Sequence, residues 1–280
     1  IELVTLTHSM PEPNACVVRT PLGAIFHTGD WKFDPDPVVG PVSDLDMLKS
    51  LGDEGILAAI GDSTNVFVSG SSGSEAGILD NLSELIGDCK GQVAVACFAS
   101  NVARLKTIFE AASANGRSVC LVGRSLWRIN AAARQSGYLS DLPAFIEADD
   151  AQDIPKDQLL YICTGSQGEP RAALARIAAN DHRHVKFGRG DTVIFSSRKI
   201  PGNELSISRL QNKLVQNNVS VINDENGNIH VSGHPAEDEL IEMYQYIRPK
   251  IVIPVHGETR HLIKHAEIAF DCQVPETLVV

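Results

Sequence analysis

Short apolar runs alternate with helix-patterned segments along the whole chain, and this alternation most restricts the fold. Runs such as ELVTL, GILAAIGD and KIVIPVH have the length and β-branched content of strands. Segments such as EAGILDNLSELIGDC and PAEDELIEMYQYIRP repeat apolar residues at helical spacing. Strands that are followed by helices predict an α/β fold. TPLGAIFHTGD is typical of a hairpin that turns at residues 21–23, so part of the sheet is predicted to be antiparallel.

Composition and charge narrow the class of protein. With 43% hydrophobic and 21% charged residues over 280 positions, the chain is typical of a soluble globular protein. A net charge of -11 excludes a protein coated in basic surface, but it leaves open a nucleic-acid enzyme with a local binding groove. The six cysteines are scattered without a C-x-x-C pair, so we expect reduced, mostly buried thiols in a cytoplasmic protein. No run reaches the roughly 18 apolar residues of a membrane span, and we expect no membrane partner.

Acidic and imidazole side chains stand where several predicted strands end. The set, taken in chain order, is His8, Asp30, Asp62, His234 and His256. Imidazole nitrogens and carboxylate oxygens are the ligands that zinc and manganese take in hydrolytic sites. One such residue alone is more often structural, but the whole set at strand ends predicts a shared metal or hydrolytic site, because ligands bind at the carboxyl ends of strands in α/β sheets.

Six motifs in a fixed order carry a resemblance to a known family. They are LTHSMPEPNACVVRTPLGAIFHTGDWKFD, GDSTNV, CFASNVARL, CTGSQGEPRAAL, HVSGH and PVHGE. In combination they resemble the ribonuclease J group of the β-CASP metallo-β-lactamase superfamily, from about Leu6 to about Ala269. The resemblance implies an incomplete αββα sandwich, made of residues 1 to about 71 and about 216 to 280. Residues about 72 to 215 would form an inserted β-CASP α/β domain.

The resemblance also implies roles for the strand-end residues. It implies that His8, Asp30 and His256 are metal ligands, with Asp30 bridging two ions. It implies that His234 acts near the scissile phosphate and that Asp62 orients His234. The implied cofactor is a pair of Zn²⁺ ions, with Mn²⁺ or Mg²⁺ as alternatives. A pair of metal ions suits phosphodiester hydrolysis, because the two ions can activate a water molecule and neutralise the charge that grows on a phosphoryl oxygen.

A further set of polar residues is implied to hold a substrate phosphate. The set is Ser100, Asn101, His230 and Ser232. Their hydroxyl, amide and imidazole groups are donors that need no basic patch, which agrees with the acidic chain. TGSQGEP fits either a phosphate-cradling nest or a strand-to-helix turn.

By resemblance, the expected activity is metal-dependent hydrolysis of single-stranded RNA in RNA processing and decay, rRNA processing included. The expected mode is 5′→3′ exonucleolytic, with endonucleolytic cleavage as a second mode, and a homodimer or homotetramer is expected when the protein is full length. Two alternatives stay open. One is a small-molecule hydrolase on the same scaffold, such as a lactonase or thioesterase, and the other is a catalytically incomplete RNA-binding module.

One family motif, H-x-H-x-D-H, does not occur in the sequence, and the chain opens inside an apolar run at IELVTLTHSM. We therefore expect a fragment that lacks the N-terminal part of the metal-binding domain. On this interpretation the chain would hold a remnant of three ligands.

Several other residues receive structural interpretations from the sequence. We expect Trp31 to be packed in the core or half-buried rather than stacked on a base. We expect Arg104 to be surface charge rather than a contact to an RNA backbone, and His265 to be solvated. The Ser/Gly-rich segment 68–77 is the candidate hinge between domains, and SSRKIPGNE (196–204) is a candidate for the return crossing.

Overall fold

The chain divides into two compact units. In this computed structural model, residues 1–224 and 227–280 are described. Unit 1 contains Ile1–Ser74 and Ser232–Val280, and unit 2 is the continuous segment Glu75–Val231. The first boundary lies close to the predicted one at about 71, whereas the second lies well beyond the predicted return at about 216.

Unit 1 is built on a six-stranded mixed sheet. Its strands, in spatial order, are β1 (Glu2–Thr5), β2 (Asn14–Thr20), β3 (Gly23–His27), β4 (Ile56–Asp62), β10 (Ile251–Val255) and β11 (Glu276–Thr277). The first three strands are antiparallel neighbours, and β3, β4, β10 and β11 run parallel. The predicted hairpin is confirmed, because Thr20 pairs with Gly23 across the turn.

Three helices cover one face of this sheet. They are α1 (Leu45–Glu54), α7 (Glu237–Ile247) and α8 (Thr259–Asp271). Their apolar residues form one core with the sheet and with Trp31, which is fully buried, as expected. The sequence patterns did not predict α1 and α8. The first is short and contains Gly52, and the second mixes polar and apolar residues in TRHLIKHAEIAFD.

Gly52 marks a close approach between two of these helices. A Cβ atom at this position would lie 2.0 Å from the backbone oxygen of Tyr246 in α7. Glycine therefore lets α1 and α7 pack closely, although it weakens α1 as an isolated helix.

Unit 2 is a five-stranded parallel sheet with helices in the connections. Its strands, in spatial order, are β6 (Ser118–Val122), β7 (Leu159–Cys163), β5 (Val93–Ala96), β8 (Thr192–Phe195) and β9 (Ser220–Ile222). Its helices are α2 (Leu79–Asp88), α3 (Val102–Ala114), α4 (Arg124–Gln135), α5 (Ala173–Ala178) and α6 (Glu204–Gln216). The central strands VAVA and TVIF are buried at every position, as parallel strands with two covered faces should be.

The end of unit 2 differs from the sequence-based boundary. SSRKIPGNE joins β8 to α6 inside unit 2 and is not the return crossing. β9 follows α6 and hydrogen-bonds to β8, so Ser220–Ile222 belong to the parallel sheet of unit 2 rather than to unit 1. A short parallel strand after a helix is the usual continuation of such a sheet.

Arg104 is buried in unit 2, so the prediction that it is surface charge is wrong. Its side chain is 0% exposed and makes a two-pronged ion pair with Glu75, at 2.5 Å and 2.9 Å. Nη1 also donates to the carbonyl and hydroxyl oxygens of Ser196. A fully paired guanidinium can be buried in this way, because each charge is compensated by hydrogen bonds.

Candidate metal centre

Four metal-ligating side chains converge in unit 1. One ligand atom from each of Asp30, Asp62, His234 and His256 lies within 4.8 Å of the other three. The parallel strands explain the convergence. Asp62 is the last residue of β4 and pairs with Val255, immediately before His256, while Asp30 follows the neighbouring strand β3. The sequence-based expectation that these strand ends share one site agrees with this geometry.

Asp62 is the buried centre of the cluster. Its side chain is 1% exposed and accepts hydrogen bonds from His234 Nδ1 at 2.7 Å, from His256 Nδ1 at 3.2 Å and from the Thr64 hydroxyl at 2.6 Å. Burial alone would raise the pKa of Asp62, but the hydrogen bonds from His234, His256 and Thr64 outweigh it, so the pKa lies well below its usual range. Asp62 is therefore a fixed negative charge beneath two imidazoles.

His234 is oriented by this carboxylate. Because its Nδ1–H donates to Asp62 Oδ2, Nε2 is the nitrogen that remains for other chemistry. Its ring lies 5.4 Å from the ring of His256 and 5.1 Å from the ring of His8, measured between centroids. The ring of His234 is thus near two further imidazoles, those of His8 and His256.

His256 and Asp30 form the open side of the cluster. Their side chains are 52% and 47% exposed, and His256 Nδ1 lies 3.4 Å from Asp30 Oδ1. The hydrogen bond to Asp62 is the main reason that the pKa of His256 is raised. His256 also has a left-handed backbone, with φ of 59°, which is uncommon for a residue other than glycine and is found often at functional sites.

His8 lies beside the four-residue cluster. Its Nδ1–H donates to the carbonyl of Gly233 at 2.6 Å, and its Nε2 lies 3.2 Å from the hydroxyl oxygen of Ser9. A hydrogen bond from one ring N–H to a backbone carbonyl is typical of metal-ligating histidines. A Cβ atom at Gly233 would come within 2.7 Å of the imidazole, so only glycine allows the approach. Burial is the main cause that lowers the pKa of His8, which favours the neutral imidazole.

The donor set fits a borderline divalent cation. Two carboxylates and two imidazoles face one another, and half of the set is open to solvent. Zinc and manganese accept this mixture of nitrogen and oxygen ligands, and a dication would balance the negative charges of Asp30 and Asp62. The division of roles that the resemblance implied, with ligands on one side and His234 and Asp62 on the other, stays a prediction.

The residues implied for phosphate binding lie in both units. Ser232 belongs to unit 1, where its hydroxyl oxygen accepts from Asn65 Nδ2 and from the backbone N–H of His234. In unit 2, Asn101 caps α3 by accepting from the backbone N–H of Arg104, Ser100 is exposed and precedes it, and His230 is half-buried. Phosphate binding by these residues stays a prediction.

His265 was predicted to be solvated, and that prediction is wrong. It is 0% exposed, and its Nδ1 lies 2.7 Å from the hydroxyl of Ser63, immediately after Asp62. Its Nε2 is hydrogen-bonded to the hydroxyl of Tyr244. The available signal was its position three and four residues before Ile268 and Ala269, which places it at the apolar face of a helix. Thr64, in the same GDSTN motif as Asp62, was also missed.

Two family profiles match the chain. Residues 90–214 match a profile described as the ribonuclease J β-CASP domain. Residues 221–275 match one described as a Zn-dependent metallo-hydrolase RNA specificity domain.

Curated relatives match almost the whole chain. Ribonuclease J from Sinorhizobium meliloti is 46% identical over 98% of this chain and 49% of its own length. Ribonuclease J 1 from Streptococcus pyogenes is 42% identical over 96% of this chain and 48% of its own length. The relative from Thermus thermophilus, also named ribonuclease J, is 38% identical over 93% of this chain and 46% of its own length. The chain thus spans about half the length of the curated relatives it matches.

A solved structure shares the fold. It is a protein of unknown function from Enterococcus faecalis, with a TM-score of 0.65 and 15% identity over 100% of this chain and 61% of that chain. The fold and the matched domains define a β-CASP protein of the metallo-β-lactamase superfamily. Within that class, the order of the two matched domains and the sequence identity to three ribonucleases J indicate the family. The chain belongs to the ribonuclease J family. Among residues 1–224 and 227–280, no helix has both the length and the apolar content needed to cross a bilayer.

Proposed function

We propose that the protein is a metal-dependent ribonuclease that hydrolyses phosphodiesters of single-stranded RNA. The observation that carries the proposal is the cluster of Asp30, Asp62, His234 and His256 in a chain of the ribonuclease J family. The RNA specificity domain that matches residues 221–275 supports RNA as the substrate. The proposed mode is 5′→3′ exonucleolytic, with endonucleolytic cleavage as a second mode.

The metal would be held by Asp30, His256 and His8. Asp30 and His256 are the open donors of the cluster, and His8 directs Nε2 away from the Gly233 carbonyl that holds its other nitrogen. Zn²⁺ is the proposed ion, with Mn²⁺ or Mg²⁺ as alternatives. A divalent cation supplies Lewis acidity to a phosphoryl group during hydrolysis.

His234 is the proposed proton donor. Asp62 accepts its Nδ1–H at 2.7 Å, which fixes the orientation of the ring and leaves Nε2 for the substrate. When Nε2 carries a proton, it can donate a hydrogen bond to a non-bridging phosphoryl oxygen. Alternatively, it can transfer that proton to the 3′ oxygen as the P–O bond breaks, while a water oxygen bonds to phosphorus and the proton that this water loses passes to solvent. The product then keeps a 5′-phosphate.

Neutral donors are proposed to hold the substrate phosphate. Because Ser232 Oγ already accepts two hydrogen bonds, its hydroxyl proton is directed outward to another acceptor. Ser100, Asn101 and His230, which lie in unit 2, are each proposed to donate to a phosphate of the RNA. Phosphate contacts from neutral donors suit a chain with a net charge of -11.

Location and assembly belong to the same proposal. All six cysteines are free thiols, which suits the reducing cytoplasm. A homodimer or homotetramer of the full-length protein stays a prediction, which light scattering after size exclusion would test.

The test combines metal analysis with cleavage assays. We expect the purified protein to bind Zn²⁺ or Mn²⁺ and to degrade 5′-monophosphorylated RNA. His256→Ala should lower both metal content and cleavage, whereas His234→Ala should abolish cleavage and leave the metal content largely unchanged. Loss of metal in His234→Ala would refute the division of roles. RNA binding without metal would favour a non-catalytic module, and hydrolysis of esters alone would favour a small-molecule hydrolase.

A further inference from the structure

Glu239 joins three segments of unit 1 through a single buried carboxylate. The residue is 3% exposed and lies in the first turn of α7. It accepts a hydrogen bond from the backbone N–H of Phe33 at 2.9 Å and another from that of Ala236 at 2.8 Å. The backbone N–H and the hydroxyl of Ser72 each donate to it at 2.8 Å. An ionised carboxylate offers about four acceptor positions and no donor, so Glu239 is saturated by these groups.

Two of the three segments carry residues of the candidate metal centre. Phe33 follows Asp30 by three residues, and Ala236 follows His234 by two. These two segments are some 200 positions apart in the chain, and Glu239 holds a backbone N–H of each. Glu239, in the helix that starts three residues after His234, therefore ties the backbone that follows Asp30 to the start of its own helix.

The third segment is the Ser/Gly-rich stretch that leads out of unit 1. It is hydrogen-bonded along its length within this unit. Glu237 N–H donates to the carbonyl of Val68 at 2.9 Å, and Asp238 N–H donates to the carbonyl of Gly70 at 3.1 Å. Lys32 Nζ donates to the carbonyl of Gly73 at 2.8 Å. Although its composition predicts a hinge, this segment is anchored to α7 and to the loop that follows Asp30.

We propose that Glu239 is a positioning residue for the metal centre, which sets Asp30 and His234 at their working distance. The proposal rests on the proposed function. Glutamine cannot replace Glu239, because its NH₂ group would face N–H donors where an acceptor is needed. Aspartate is one methylene shorter and cannot reach all three segments from the same backbone position.

The test compares Glu239→Gln with Glu237→Gln. The control lies in the same helical turn and loses only a half-exposed ion pair with Lys264, at 3.4 Å. Co²⁺ binding to the folded proteins is followed by calorimetry and by the visible absorption of the ion. We expect Glu239→Gln to weaken Co²⁺ binding by about 10- to 100-fold and to change the spectrum, as loss of a supporting contact does. The control should stay within about twofold of wild type.

A double mutant separates positioning from a general loss of stability. If Glu239 acts through Asp30, Glu239→Gln should weaken Co²⁺ binding far less in an Asp30→Asn background than in wild type, because the two changes share one effect. Additive losses would overturn the proposal. A lowered melting temperature with an unchanged Co²⁺ affinity and spectrum would also overturn it.

A metal-free measurement keeps this inference distinct from the proposed function. If wild type binds no Co²⁺, the metal-dependent function fails, and NMR then decides the role of Glu239. We expect Glu239→Gln to speed amide hydrogen exchange at Phe33, Ser72 and Ala236, and to shift the imidazole resonances of His234, while Glu237→Gln changes neither. Unchanged His234 resonances in Glu239→Gln would refute positioning.

Discussion

His265 makes the stability of unit 1 depend on pH in a predictable direction. Burial lowers the pKa of this imidazole from 6.5 to about 4. In the unfolded chain the ring takes up a proton as the pH falls below about 6.5, whereas in the folded chain it stays neutral until about pH 4. The unfolded state therefore binds more protons in this window, and the stability that is fully present above pH 6.5 is lost as the pH falls towards 4.

The magnitude follows from the two pKa values. The pKa of His265 is 6.5 in the unfolded chain and about 4 in the folded chain, a difference of ~2.5, and a difference of one corresponds to about 1.4 kcal/mol. Wild type should therefore lose ~3 kcal/mol of unfolding free energy through His265 between pH 7 and pH 4. In His265→Gln this contribution is absent, although the variant should be less stable at pH 7 by about 1–3 kcal/mol, because the hydrogen bonds to Ser63 and Tyr244 are disturbed.

The assay is urea unfolding at a series of pH values, with Trp31 as the reporter of unit 1. A Trp127→Phe background removes the tryptophan of unit 2 and leaves the fully buried Trp31. The unfolding free energy of wild type should exceed that of His265→Gln at pH 7, and this excess should shrink as the pH falls. If the excess at pH 7 is below ~3 kcal/mol, the variant should become the more stable protein near pH 4. His27→Gln, a change at an exposed histidine, should run parallel to wild type. Parallel curves for wild type and His265→Gln would refute the reasoning.

Three further changes test other features of the packing and of the site. Gly52→Ala should destabilise unit 1 by about 1–3 kcal/mol in urea unfolding, despite the better helix propensity of alanine, because the new Cβ would lie 2.0 Å from a carbonyl oxygen. An equal or higher stability would contradict the close approach. Arg104→Met should cost unit 2 about 3–5 kcal/mol, and adding Glu75→Gln should recover part of the loss, because the single change leaves a buried charge unpaired. A double mutant less stable than Arg104→Met would count against this account. Gly233→Ala should weaken Co²⁺ binding by about tenfold in calorimetry, because the methyl group displaces His8, and unchanged binding would argue against His8 as a ligand.

The strand-end pattern was the part of the site that the sequence could predict. Asp62 and His256 each end an apolar run, and parallel neighbours bring such ends together. The pattern could not predict the order of the strands in the sheet. β4 and β10 are neighbours in the sheet, but the whole of unit 2 lies between them in the sequence.

The missed residues share a physical reason. Arg104, His265 and Glu239 are polar residues on helices, where polarity usually indicates a solvated face. Each is buried because its partners arrive from distant segments, such as Glu75 for Arg104 and Ser63 for His265. The local pattern of apolar and polar residues cannot reveal a buried polar group whose hydrogen-bond partners come from distant parts of the sequence.

The division of unit 1 into two stretches of chain has a consequence for synthesis on the ribosome. Unit 2 is one continuous stretch, so all of its internal contacts become available once residue 231 has been made. Asp30 and Asp62 are translated before unit 2, whereas His234 and His256 are translated after it. During that interval the nascent sheet lacks β10 and its acids lack their imidazoles. The candidate cluster can thus form only after unit 2 has been made, and a ribosome that stops before residue 256 releases a chain that cannot assemble it.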